Sequence, residues 1–120
     1  MDAEHAARFA DEWFEAWNAH DLEKILQHYR DDVRYQSPMI PAITGNESGR
    51  LEGKETLRSY FERALKAYPD LKFQRQNVSM GVDSVVLNYI SVRNLLASEV
   101  FLFDEDGLVK EVLCHYVEPE

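Results

Sequence analysis

Apolar residues near the N-terminus recur three and four positions apart: Ala6, Phe9, Ala10, Trp13, Phe14 and Trp17 form one broad stripe. That period predicts an amphipathic helix with one face turned to a core. Asn18-Ala19-His20 interrupts the stripe, Asp21 offers a side-chain cap, and Leu22, Ile25, Leu26 and Tyr29 continue a shorter helical face. A helical hairpin is expected. Val33, Tyr35 and Ser37 then alternate with Arg34 and Gln36, which predicts a short strand ending at Pro38. The stretch from Pro38 to Gly53 holds two Pro and three Gly and is long for a connection. It is read as a flap with a small hairpin arm near Arg50-Leu51-Glu52.

Helical spacing returns at Leu57, Tyr60, Phe61, Ala64, Leu65 and Tyr68, and Pro69-Asp70 stops it. Four strand-like runs follow: Leu71–Met80, Ser84–Arg93, Glu99–Phe103 and Leu108–Val117, with Gly81-Val82-Asp83 and Asp106-Gly107 as turn chemistry. Helices come first and strands last, joined in the second half by short hairpins. This order argues for an α+β fold in which helices cover one face of a curved antiparallel sheet. No repeat, linker or low-complexity stretch divides the chain, so one domain spanning 1–120 is expected.

Composition narrows the partners. The chain has 120 residues, 13 Lys plus Arg against 22 Asp plus Glu, and a net charge of −9 with no basic cluster. Such a field repels phosphate backbones and anionic membrane surfaces, so neither nucleic acid nor membrane is an expected partner. No apolar run approaches the roughly 18 residues of a membrane span. The single cysteine, Cys114, has no internal disulfide partner, and the acidic start lacks the pattern of a secretion signal. A reducing, cytoplasmic setting is the expectation.

Few motifs carry chemistry. No Gly-rich phosphate loop, no Gly-x-Ser-x-Gly turn and no Cys or His pair at metal spacing is present. Asp104-Glu105-Asp106-Gly107 resembles the start of a calcium loop, but the later ligands are missing and an Asp-Gly hairpin turn explains it. His20 and His28 lie on or beside the second helix without a carboxylate at ligand spacing and are read as packed or solvated. The unusual feature is a mixed sheet face. Alternation puts Leu87, Tyr89, Ser91 and Arg93 on one side, and the next run adds Glu99, Phe101 and Phe103 to that side. An acid and a base among aromatics form either a surface ion pair or the lining of a reactive cavity.

Several strings, in order, carry a resemblance: Phe14-Glu15-Ala16-Trp17-Asn18-Ala19-His20-Asp21-Leu22, His28-Tyr29-Arg30-Asp31-Asp32-Val33, Ser37-Pro38, and Leu51-Glu52-Gly53-Lys54-Glu55 leading into Tyr60-Phe61. Together they resemble the SnoaL-like and ketosteroid-isomerase-like branch of the nuclear transport factor 2 superfamily over nearly the whole chain. The resemblance implies a cystatin-like α+β cone: a strongly curved antiparallel sheet wrapped around a helix and enclosing an apolar pocket. It also implies a homodimer formed through the convex sheet face. In steroid isomerases the general base is an aspartate just before the proline that ends the first strand, a place held here by Ser37. Their oxyanion hole pairs a helix-one tyrosine, here Trp13, with a protonated aspartate on a late strand, here Glu99. SnoaL-like cyclases carry an acid near the end of the final strand, where this chain has Glu118. Serine cannot replace a carboxylate base, so steroid isomerase activity itself is not expected.

On this reading Glu99, Arg93 and Glu118 are the candidate catalytic groups. Trp13, Trp17, Val33, Tyr35, Ser37, Tyr60, Leu87, Tyr89, Ser91, Phe101, Val112, Cys114 and Tyr116 are the candidate lining, many of them equally suited to plain core packing. Cys114 is read as a small apolar filler, and His115 as facing the convex side. Neither cofactor nor metal is expected, and the expected ligand is a small hydrophobic molecule. Three functions stay open: an acid/base enzyme on a carbonyl compound (isomerase, cyclase, dehydratase or hydrolase), a dimeric module that binds a hydrophobic metabolite unchanged, or a protein-interaction domain with a vestigial pocket.

Overall fold

The computed structural model describes residues 1–117. Glu118 lies outside the described residues. The elements run α1 (Ala3–Asn18), α2 (Leu22–Leu26), β1 (Tyr29–Gln36), α3 (Ile40–Thr44), β2 (Arg50–Glu52), α4 (Lys54–Ala67), β3 (Gln74–Met80), β4 (Ser84–Ile90), β5 (Leu96–Phe103) and β6 (Val109–Val117). The strands form one six-stranded curved, unclosed sheet in the order β2-β1-β6-β5-β4-β3.

Local chemistry explains the element boundaries. Asp2 caps α1 by accepting from the His5 backbone N–H at 2.8 Å, and Asp21 caps α2 in the same way through Lys24. The α1 stripe is buried from Ala6 to Trp17, as its period requires. Gly53 precedes α4 with φ 93°, a backbone angle that a side chain would strain. An aromatic cluster ties α1 to the concave side of the sheet. Trp13 stacks on Phe73 with ring centres 5.6 Å apart and meets Phe101 edge-on at the same separation. Trp17 meets Phe61 of α4 edge-on at 4.8 Å. Each such pair contributes about 0.5–1.5 kcal/mol beyond its buried area.

Three features differ from the expectation. The sheet is not wholly antiparallel, because β1 pairs with β6 in parallel, with Tyr35 opposite Val112. The intervening elements carry the chain across, so hairpin logic does not govern this pair. Tyr29 belongs to β1 rather than to the second helix, which ends at Leu26. The flap holds the short helix α3 in addition to the expected arm β2, which pairs antiparallel with β1 through Tyr35 and Leu51. The sheet ends on β2, three residues long, and on β3, which is mostly polar and exposed and has a register shift between Arg75 and Asn77.

Candidate functional site

Alternation along β4 and β5 turns Leu87, Tyr89, Glu99, Phe101 and Phe103 into the concave face, while Ser98 and Asn88 face the other way. The side chain of Glu99 therefore ends among aromatic rings, with the residue only 3% exposed. It stands opposite Leu87 on β4 and Cys114 on β6. The Tyr89 hydroxyl donates to Glu99 Oε1 at 2.5 Å, a charge-assisted length. Behind it the Trp13 indole N–H donates to the Tyr29 hydroxyl at 3.2 Å, and the Cys114 thiol donates to the Tyr35 hydroxyl at 3.3 Å.

A cavity of about 40 Å³ opens beside this carboxyl. That is room for a few waters. Its inner wall is Trp13, Trp17, Tyr35, Tyr60, Phe61, Ala64, Leu71, Phe73, Tyr89, Ser91 and Glu99, and its half-buried rim is Met39, Ile43, Tyr68, Val92 and Tyr116. Among the described residues no Lys, Arg or His lines it. The carboxyl thus lacks a compensating cation, and burial pushes its pKa up from the usual carboxylate range to about 7, against smaller opposing effects of the Tyr89 hydroxyl and the Cys114 thiol. Tyr35, Tyr60, Tyr89 and Tyr116 are also pushed upward, by burial first. They stay protonated near neutrality, so each keeps an O–H able to donate. Burial likewise raises the Cys114 thiol, which removes it as a nucleophile.

Among the sequence candidates, Trp13, Trp17, Tyr35, Tyr60, Tyr89, Ser91, Glu99 and Tyr116 line the cavity. Val33, Leu87, Phe101, Val112 and Cys114 are buried in the core behind it. Ser37 is buried too, but its hydroxyl accepts from the Met39 N–H at 3.2 Å and fastens the turn into α3. Arg93 is a correction. It is exposed and makes no ion pair with Glu99, because the chain leaves the sheet at Ser91. The Ser91 N–H donates to the Leu95 carbonyl at 2.7 Å, and Arg93 and Asn94 take left-handed backbone angles (φ 56° and 62°). Alternation holds only inside a strand, so extending it through the turn placed Arg93 on the wrong side. His115 is exposed on the convex face.

The rim residues Met39, Ile43, Tyr68 and Val92, and the wall residues Phe61, Ala64, Leu71 and Phe73, were absent from the sequence candidates. Phe61 and Tyr68 carried a signal in the α4 stripe. Met39 and Ile43 carried none, since nothing periodic marks α3. His20 and Asn18 have a clear structural task. His20 Nε2 bonds the Leu71 carbonyl at 2.8 Å, and the Asn18 amide pairs with both the N–H and the carbonyl of Phe73, at 2.7 and 3.1 Å. Together they clamp the Leu71–Phe73 wall against the end of α1.

Residues 10–112 match the family model described as the SnoaL-like domain. The chain belongs to the SnoaL-like family. It is 45% identical to a SnoaL-like protein of unknown function from Burkholderia thailandensis, over 98% of both chains, with a TM-score of 0.91. A Methylobium petroleophilum protein of unknown function with a cystatin-like fold superposes with a TM-score of 0.79 at 13% identity, covering all of this chain and 80% of the other. SalBIII, an epoxide hydrolase/cyclase-like enzyme with a role in pyran ring formation in the polyether salinomycin, gives 0.75 at 17% identity, over 97% and 93% of the two chains. These last two share the SnoaL-like fold alone. Among curated proteins no sequence matches.

Proposed function

We propose that this SnoaL-like protein is an enzyme that moves a proton on a small, largely apolar carbonyl compound, in a reaction of the isomerase, cyclase or dehydratase type. The observation that carries the reading is one buried carboxyl, Glu99, hydrogen-bonded to Tyr89 in an aromatic cavity without a cation. A group titrating near 7 is present in both forms at neutral pH and can take a proton from a carbon beside the carbonyl and return it elsewhere. The phenols of Tyr60 and Tyr116 supply donors for the charge that then develops on the carbonyl oxygen.

The test compares wild type with Glu99→Gln on a panel of enolisable ketones, lactones and epoxides, following turnover and solvent deuterium uptake by NMR. A loss of about 10²-fold or more is expected, and equal turnover would remove Glu99 from the mechanism. A second reading, binding without conversion, draws on Ser37, whose hydroxyl is occupied in a turn where steroid isomerases hold a base. Native mass spectrometry that finds a ligand retained and recovered unchanged after incubation would favour it. We further propose that two copies pair through the convex sheet face, where Val86, Val100 and Leu113 adjoin across β4, β5 and β6 beside the exposed Leu96 and Val117.

A further inference from the structure

Beside the rim of the cavity runs an open groove that shares Tyr68, Leu71 and Val92 with it and continues over Asp70, Lys72 and Arg93. In a chain of net charge −9, this mouth carries two cations and one acid. Among the described residues neither Lys72 nor Arg93 has an ion-pair partner. Both are held by fixed backbone. Lys72 lies between Leu71 and Phe73, the two residues clamped by His20 and Asn18, and Arg93 lies in the turn closed by Ser91 and Leu95.

The interior offers the opposite electrostatics: aromatic walls, a carboxyl and no cation. A free carboxylate entering it would lose its hydration and meet Glu99, whereas at the mouth it would meet Lys72 and Arg93 and stay hydrated. The two regions therefore sort the ends of one molecule. We infer that the groove is a second subsite that takes the carboxylate of an amphiphilic keto acid, whose uncharged carbonyl end enters the cavity toward Glu99. A single negative charge fits better than a multiply charged tail, because Asp70 leaves the mouth with a surplus of one positive charge. The inference rests on the reading of the cavity as a ligand site and not on catalysis by Glu99.

The experiment uses 5-oxohexanoate and 7-oxooctanoate beside their methyl esters, which keep the ketone and remove the charge. Binding is read from the fluorescence of Trp13 and Trp17, the two tryptophans of the chain, both on the cavity wall. At low salt at least one acid is expected to bind about five- to tenfold tighter than its ester, as two solvated charge contacts allow. The advantage is expected to shrink in high salt. Lys72→Gln combined with Arg93→Asn is expected to bring the acid down to the ester, and Asp70→Asn to tighten the acid further. Asparagine is chosen at 93 because it tolerates the left-handed backbone. An acid that binds no tighter than its ester, or an advantage that survives the double substitution or high salt, overturns the inference. If neither acids nor esters bind, the cavity reading and this inference fall together. If the tail dependence holds while Glu99→Gln turns over as wild type does, only the catalytic proposal falls.

Discussion

Among the described residues, the surroundings of the Glu99 carboxyl offer it hydrogen bonds and no cation. Its pKa near 7 in the folded chain stands above the ordinary carboxylate value of 4.5. Between those two values the folded state binds more protons than the unfolded state, so stability falls as pH rises through the interval and levels off above it. The cost at high pH is about 3 kcal/mol. Thermal melts of wild type are therefore expected to fall from pH 5 to pH 8. Glu99→Gln should flatten that slope, and an unchanged slope would mean that Glu99 titrates as an ordinary carboxylate. Tyr89→Phe should move the titration upward, because its hydroxyl favours the charged form; a carbon-13 NMR titration of the carboxyl carbon reads it directly. Glu99 was legible in the sequence, since strict alternation with Phe101 and Phe103 put an acid on an apolar face. Arg93 was misplaced because the turn that ends the alternation, Ser91 to Leu95, contains no Gly or Pro to announce it.

At the level of elements, the clamp from α1 to the segment before β3 sets one wall of the cavity. Asn18 makes two hydrogen bonds to the Phe73 backbone, and truncation would leave a part-buried N–H and carbonyl unpaired. Asn18→Ala is expected to cost about 1–3 kcal/mol in urea unfolding, with a change in tryptophan emission as Phe73 moves against Trp13. A neutral result would show that water replaces the amide without consequence. Helices α1 and α4 and strands β4 to β6 were legible because each keeps one period over two turns or more of helix or six residues of strand. The parallel pairing of β1 with β6 was not, since a contact between residues some 77 apart, Arg34 and Glu111 for example, leaves no local period. Helix α3 is five residues long with a proline in its first turn, too short for any periodic signal.

For the whole molecule the proposed pairing has a direct check. Sedimentation equilibrium is expected to give twice the 14.0 kDa chain mass. Val100→Arg, set in the middle of the apolar convex strip, is expected to return it to 14.0 kDa while leaving the concave cavity intact. A wild-type protein that sediments as a single chain would dismiss the dimer. The sheet's outer margins work in the other direction. Strand β2 offers only three residues of unpaired backbone, and β3 presents Gln74, Arg75, Gln76 and Asn77 together with a register shift. Short, charged or bulged margins give an incoming strand little to zip onto. Margins of this kind protect concentrated protein from growing strand by strand into fibrils, whatever contacts the broad face makes.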